Sequence, residues 1–544
     1  MILDVTPMRA GTRYFIRLPR SDDVSPTTLM KEHGLDLSLH STSGEALLFT
    51  DEPYAAVAFW DYGTPAAKAN LAKLRAEIET SWAPTSQAHI DCPAGEELWP
   101  FQKAGIEYAL RRQHCLIGDQ PGLGKTPQAI CVANEMQAKR VLVICPANIR
   151  LQWVKMIRRW STMSWPYHVC PILHGKNGVH PTAAWTVVSY DLASTEAIGR
   201  ALTKGSYDLL ILDEVHYLKT VDARRSRAIF GGGEGRTFEP IASRASSILG
   251  LTGTPLPNRP REAYNLARHL CWESIDWASE DKFREKFNPS LRGVQEETGK
   301  VYIDERSGRH GELQARLRAN FMVRHEKHGP FGVMSQLKLP VYDIVHVEET
   351  GPVRQALKAE SLLDIDPENM EGADAEVLGH IAVVRRMMGV AIAPLAAQYV
   401  EMLLEGGEDK IVLFGHHIEV LDILEAKLRR FGIVRIDGRV APTKKQVLVD
   451  RFRMEPAVRV CLGNILSMGV GTDGLQDVCA HAVFSEADWT AGQNQQCVDR
   501  LDRGGQQRTV LADFLVAPGS FSERVLATAL RKNQVTNKVL DRRL

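Results

Sequence analysis

The feature that most constrains this chain is a rhythm of short, fully apolar runs alternating with amphipathic helical stretches. From Trp99 onward such runs fall at 115–117, 141–145, 186–188, 209–212 and 247–251. A second series falls at 411–414, 434–436, 458–462, 482–484 and 510–514. Strands without polar alternation are buried on both faces, so a chain that spaces them with helices builds a parallel sheet covered by helices on either side. Two series predict two α/β lobes, over 95–260 and 346–544. The stretch 261–345 is helical and charged and reads as an insertion between them. Residues 1–90 read as a small α+β accessory domain, with strand-like runs at 13–16, 46–49 and 56–60 and a helix near 66–80. A Pro-containing linker from Ala83 to Pro93 follows.

At 544 residues the chain is long enough for three or four domains with cores of their own. No run approaches the ~18–20 consecutive apolar residues of a membrane span, and Met1-Ile2-Leu3-Asp4 does not open a secretory signal. No membrane partner is expected. The nine cysteines include no Cys-x-x-Cys pair, so neither a zinc site nor a disulfide framework is indicated, and a reducing, intracellular compartment is expected. With 66 basic and 66 acidic residues, net charge draws no polyanion to the chain. Any nucleic-acid contact must come from sorting charge onto one face. Arg150 with Arg158 and Arg159, Arg224 with Arg225 and Arg227, and Lys444 with Lys445 are local groups of that kind. Each taken alone reads as a solvated face.

Gly118-Asp119-Gln120-Pro121-Gly122-Leu123-Gly124-Lys125-Thr126 lies between an apolar strand and a helical run. That is the setting of a phosphate-binding loop: glycines let N–H groups turn inward, and the helix N-terminus adds positive partial charge. Gly122 and Gly124 would cradle the phosphates, Lys125 would reach the β and γ phosphates of ATP, and Thr126 would hold Mg²⁺. Asp119 stands where the usual spacing has glycine. Leu209-Leu210-Ile211-Leu212-Asp213-Glu214 is an apolar strand ending in two carboxylates. Asp213 would complete the Mg²⁺ site, and Glu214 would polarise the attacking water.

With these two elements the chain resembles superfamily-two helicases, and within them the Swi/Snf-like ATPases, over about residues 98–516. The family's phosphate loop typically opens with Asp, as Asp119 does here, whereas Gln120 replaces its usual acidic residue. Leu98-Trp99-Pro100-Phe101-Gln102 resembles the adenine-recognition segment, with Gln102 reading the base. Cys145-Pro146-Ala147-Asn148 with Trp153, and Ser189-Tyr190, resemble motifs that track DNA. Leu251-Thr252-Gly253-Thr254-Pro255 resembles the motif coupling hydrolysis to lobe movement through Thr252 and Thr254. Gly469-Val470-Gly471-Thr472-Asp473-Gly474 resembles the motif facing both nucleotide and DNA, with Gly471 on the nucleotide side and Asp473 in place of an apolar residue. Gln496-Cys497-Val498-Asp499-Arg500-Leu501-Asp502-Arg503-Gly504-Gly505-Gln506 resembles the last motif, with Asp502 for histidine and Gly504 for isoleucine. Arg500 and Arg503, three apart, would share one helix face and reach the γ-phosphate as arginine fingers. Thr254-Pro255-Leu256-Pro257-Asn258-Arg259-Pro260, Phe414-Gly415-His416-His417 and Glu486-Ala487-Asp488-Trp489 resemble the annealing-helicase branch. The adjacent histidines, with no further ligand at usable spacing, read as a loop and not a metal site.

The resemblance implies two RecA-like lobes with ATP and Mg²⁺ between them. It also implies a motor that tracks double-stranded or forked DNA without reading sequence, remodelling or annealing it. Pro146, Ser189, Asn464 and Ser467 are the DNA-contacting residues it implies. The first domain resembles the small substrate-recognition modules that precede annealing helicases. An RNA helicase, or an ATP-gated DNA-binding subunit of a defence or repair complex, is the alternative; a metabolic kinase is disfavoured by the second lobe. The expected location is the cytoplasm of a bacterial or virus-infected cell, or the nucleus of a eukaryote. Whether the chain acts alone or with a protein partner stays open.

Overall fold

The computed structural model describes residues 1–527 apart from 9–10, 19–24, 34, 38–45, 164–168, 233–237, 257–258, 295–300, 306–307, 363–374, 469–472, 489–490 and 525. The first strands, β1 (Ile2–Met8), β2 (Gly11–Leu18), β3 (Asp36–Leu37) and β4 (Ala46–Thr50), form an antiparallel sheet in the order β1-β2-β4-β3. Leu3, Tyr14, Ile16 and Leu48 point from it onto the helix Pro65–Thr80, which Thr64 caps by accepting from the Ala67 N–H. The run 56–60, expected as a strand, is helical. Pro53 starts one turn, Pro53–Ala56, and a tighter turn, Val57–Tyr62, follows. Short apolar runs do not separate a buried strand from a buried helical turn, and here Pro53 presets the helical φ.

The first parallel sheet contains β5 (His114–Ile117), β6 (Val141–Cys145), β7 (Val169–Pro171), β8 (Trp185–Ser189), β9 (Tyr207–Asp213) and β10 (Ala245–Leu251). A separate antiparallel hairpin joins β11 (Ser290–Val294) to β12 (Val301–Glu305). Then β13 (Met322–Val323) returns to the first sheet beside β5, giving the order β13-β5-β10-β9-β6-β8-β7. Leu210 and Leu212 of β9 face a core that includes Tyr264, Phe283, Leu313 and Leu317, while Leu209 and Ile211 face Ile130 and Trp153 on the other side. The stretch expected as an inter-lobe insertion thus covers one face of the first sheet and supplies its edge strand.

The second parallel sheet contains β14 (Val341–His346), β15 (Ile411–Gly415), β16 (Ile433–Ile436), β17 (Val460–Asn464), β18 (His481–Phe484) and β19 (Leu511–Val516), in the order β14-β19-β18-β15-β17-β16. The fold class is the expected one: two parallel-sheet α/β lobes after a small α+β domain. The helix Ala375–Glu405 runs across the second sheet. Its segment Gly379–Glu405 is long and apolar enough to cross a membrane by length and composition, although Arg385 and Arg386 interrupt its apolar run. Here Met388, Ile392, Ala396 and Val400 pack on Ile411, Leu413 and Leu421, as in a core helix.

Candidate nucleotide site and inter-lobe cleft

β5 ends at Ile117 and the chain enters the glycine-rich loop. Gly122 (φ +88°) and Gly124 (φ +73°) occupy the left-handed region, where a side chain is strained. Both are also crowded. A Cβ on Gly124 would lie 2.4 Å from Gln102 Nε2, and one on Gly122 would lie 2.9 Å from Arg503 Cβ. Lys125 opens the helix Lys125–Glu135, and Thr126 follows it there. Lys125 Nζ donates to the carbonyls of Asp119 (2.8 Å) and Gln120 (3.4 Å). Burial lowers its pKa, opposed by Glu214, Asp119 and Asp213.

Gln102 is committed to the protein. Its Oε1 accepts from the Trp99 N–H (2.9 Å), and its Nε2 donates to the Leu123 carbonyl (3.0 Å), so it braces the loop. Each of these atoms keeps one further site, a second Nε2 hydrogen and a second Oε1 lone pair.

Asp213 closes β9. Its carboxylate accepts from Trp153 Nε1 (2.7 Å) and from the Glu214 N–H (2.9 Å). Burial, with Glu214 alongside, pushes it up to about 7. Glu214 sits at φ +51°. Burial pushes its carboxyl up, but His216, Lys125 and Arg500 outweigh that and hold it below the usual range. Glu214 Oε2 is 3.2 Å from His216 Nδ1 and accepts from Thr252 Oγ1 at 3.5 Å. His216 Nδ1 and Thr252 Oγ1 are 2.9 Å apart, and Thr252 Oγ1 accepts from the Thr254 N–H at 3.1 Å. The structure therefore gathers Lys125, Asp213, Glu214, Thr252 and Thr254 at the carboxyl ends of adjacent strands.

From the second lobe come Arg500 and Arg503, but not on a helix face. The helix Ala491–Val498 stops first, and both arginines lie in the turns that follow, where the Arg500 N–H bonds the Cys497 carbonyl. Burial and then Arg503 lower the Arg500 guanidinium to about 10, against the pull of Glu214. Arg503 rests its Cβ on Gly122, while its guanidinium turns to Asp473 (3.0 Å) and the Asp499 carbonyl (3.1 Å). Gly504 is packed so closely that a Cβ would lie 2.7 Å from the Trp99 ring, which leaves no room for a branched side chain. Gly471 lies outside the described residues.

The residues expected to track DNA fall into two pairs. Pro146 follows β6, and Ser189 ends the neighbouring β8, with Cys145 and Ser189 in register. Ser189 is buried and its hydroxyl caps the next turn, accepting from the Leu192 N–H, so that hydroxyl is not presented outward. On the second lobe Asn464 accepts from the Ser467 N–H (3.2 Å) and donates to the His416 carbonyl (2.6 Å). The two segments Phe414–His417 and Glu486–Asp488 meet. The Glu486 carboxylate accepts from the His416 N–H (2.7 Å), the His417 N–H (2.9 Å) and His417 Nδ1 (2.6 Å). Among the described residues no group of three or more His, Cys, Asp or Glu is placed to hold a metal.

Sequence reasoning missed the strap that follows β13, residues 324–328. Arg324 Nη1 donates to the carbonyls of Gly118 (2.5 Å) and Gly253 (3.1 Å). Asp119, the departure from glycine, accepts from the His325 N–H (2.9 Å) and Nδ1 (2.8 Å) and from Gln128 Nε2 (2.8 Å). Gln120 Oε1 accepts from the Lys327 N–H (2.8 Å), a bond that the oxygen of an acidic residue would accept as well. Lys327 Nζ reaches into the second lobe, to Asp499 (2.5 Å) and Asp502 (2.5 Å), and His328 Nε2 meets Asp502 at 2.8 Å. The only signal in the sequence is an apolar pair before a basic cluster, too short for periodicity to register.

Several known proteins are similar to this chain in sequence. Residues 101–348 match the SNF2-related domain. The DNA annealing helicase and endonuclease ZRANB3 of Homo sapiens is 29% identical over 462 residues, covering 82% of this chain and 41% of that protein. The SWI/SNF-related matrix-associated actin-dependent regulator of chromatin subfamily A-like protein 1 of Xenopus tropicalis is 28% identical, covering 80% of this chain and 44% of its own length. The Sulfolobus solfataricus SWI2/SNF2 ATPase core in complex with dsDNA aligns over 82% of this chain and 98% of its own at 16% identity, with a TM-score of 0.38. Residues 101–348 thus carry an SNF2-related domain, and the chain as a whole resembles Swi/Snf-like ATPases of helicase superfamily two, annealing helicases among them. It spans about two fifths of the length of the curated relatives it matches. The matched domain implies nucleotide use.

Proposed function

We propose that the chain hydrolyses ATP to move along double-stranded or forked DNA, independently of sequence, and that the movement remodels or anneals the DNA. The observation that carries this reading is the seating of the second lobe's arginine turn on the phosphate loop, with Arg503 Cβ against Gly122. A motor of this class needs its fingers and its loop on opposite walls of one cleft, so that nucleotide state sets lobe position.

In this reading the loop N–H groups, Gly122, Gly124 and Lys125 bind the phosphates. Glu214, kept ionised by His216, Lys125 and Arg500, orients a water and accepts its proton. Arg500 and Arg503 stabilise charge on the transferred group, a contribution of ~10³–10⁵ in rate. For Arg503 this requires leaving Asp473. Thr252, bonded toward Glu214 and His216, relays the change at the γ-phosphate to the strand ends. The neighbouring buried carboxylates Asp213 and Glu214 make a donor set that suits a divalent cation, because their mutual repulsion is what a cation relieves. Mg²⁺, held by Asp213 and Thr126, would neutralise phosphate charge. Pro146, Ser189, Asn464 and Ser467 would meet the DNA backbone at the strand ends, Ser189 through its main chain. The names of the relatives, an annealing helicase among them, support the annealing output and a nuclear setting in a eukaryote.

The test is ATP hydrolysis by the wild type and Lys125→Ala with no nucleic acid, single-stranded DNA, duplex DNA, forked DNA and RNA. Stimulation by duplex or forked DNA that the variant loses is expected. Stimulation by RNA alone would reassign the track, and no hydrolysis under any condition would leave an ATP-gated binding subunit.

A further inference from the structure

The N-terminal domain ends at the helix Pro65–Thr80, and the chain then passes the strap before the linker begins. Two main-chain carbonyls there are spent on the strap. Ser81 O accepts from the Arg324 N–H (2.9 Å), and Ala83 O accepts from His325 Nε2 (3.0 Å). The opposite side of the same imidazole holds the phosphate loop, through Nδ1 to Asp119 Oδ1 at 2.8 Å. Both side chains of that pair are fully buried.

Both ring nitrogens of His325 face acceptors, a carboxylate and a carbonyl. Only the imidazolium form can donate from both. Burial would push the Asp119 carboxyl up, but His325 and Gln128 together hold it below the usual range. The Phe101 ring is 5.4 Å from the imidazole, a Cβ on Gly105 would lie 3.8 Å from it, and Lys125 Nζ lies against the Asp119 carbonyl at 2.8 Å. The strap also pairs with the loop as a strand would, Gly118 N–H to Val323 O (2.8 Å) and Gln120 N–H to His325 O (3.1 Å).

We infer that His325 is a positioning residue that couples the seating of the N-terminal domain's exit, residues 81–83, to the shape of the phosphate loop. When that exit is displaced, Nε2 loses its acceptor and a buried donor is left unpaired, so the Asp119 anchor weakens with it. Coupling of this kind is reciprocal, so nucleotide in the loop tightens the exit, and whatever displaces the exit loosens nucleotide. The N-terminal domain thereby controls the ATP site without touching nucleotide. This inference rests on the reading that residues 118–126 hold ATP.

The test measures binding of a fluorescent ATP analogue, and amide exchange over residues 82–90 with and without it, in the full-length wild type, His325→Gln and His325→Arg. Glutamine cannot serve both acceptors, whereas arginine is a permanent cation with several donors. In the wild type the nucleotide should slow exchange at the exit. In His325→Gln affinity should fall on the order of tenfold and the exit should cease to respond, with both at least partly recovered in His325→Arg. Asp119→Asn, which cuts the same tie from the loop side, should behave as His325→Gln does and serves if that variant does not fold. Unchanged affinity and exit response in His325→Gln or Asp119→Asn would overturn the proposal. A wild type that binds no nucleotide would overturn the ATP-site reading beneath it, a result visible without any variant.

Discussion

A carboxylate in a phosphate loop repels the anion it encircles unless its charge is turned away. Asp119 meets that condition by facing His325 and Gln128. Two other acidic departures behave alike: Asp473 takes Arg503, and Asp502 takes Lys327 and His328. Residue identities in the motifs were legible because the chemistry demands particular types at particular spacings. Their partners were not, because ties such as Asp119–His325 join positions some two hundred apart, and no local pattern records them. The same applies to Gly122. Its glycine could be read from the loop, but the nearness of Arg503 could not. Gly122→Ala places a Cβ in a left-handed position and against Arg503 Cβ. We expect kcat for ATP to fall on the order of 100-fold, as for a misplaced reacting group, with KM changing less. Equal losses in both, from steady-state kinetics, would place the damage in nucleotide binding instead of in the arginine turn.

At the scale of the element, the expected runs of both lobes became strands because most of their consecutive apolar residues are buried in the sheets. β7, β13 and β14 escaped notice. β7 is only half-buried and ends in Pro171, β13 is two residues long, and β14 is an edge strand largely exposed along its length. The helix His310–Asn320 lies in the stretch 261–345, which reads in sequence as a helical, charged insertion between the lobes. It is buried along most of its length. Its charges are balanced inside: Arg316 bonds Glu312 (2.8 Å), Asp276 (2.9 Å) and Glu52 of the N-terminal domain, and Lys286 reaches Glu312 at 2.5 Å. Removing one partner of a buried cluster leaves the others uncompensated. Arg316→Met should therefore destabilise the protein by about 3–5 kcal/mol in denaturant unfolding. A change within ~0.5 kcal/mol, as at an ordinary surface site, would show that water reaches the cluster.

At the scale of the molecule, the two lobes are joined by Lys327 as well as by the chain. Lys327 is 3% exposed and Asp499 and Asp502 are each 2% exposed, so this tie is shielded from solvent screening. Lys327→Met would leave two buried carboxylates on the second lobe short of a cation. We expect the lobes to part and the radius of gyration from small-angle X-ray scattering to exceed that of the wild type. Superimposable scattering curves would show that other contacts hold the cleft.

The return of β13 to the edge of the first sheet also bears on how the chain is made. That sheet has its other strands in hand once β10 ends at Leu251, yet its outer edge waits for Met322 and Val323. At roughly 5–20 residues per second, translation reaches them several seconds later. Until then Leu116 and Gly118 lack the carbonyl partners that Phe321 and Val323 supply. During synthesis the glycine-rich loop is thus the last part of its own lobe to be secured.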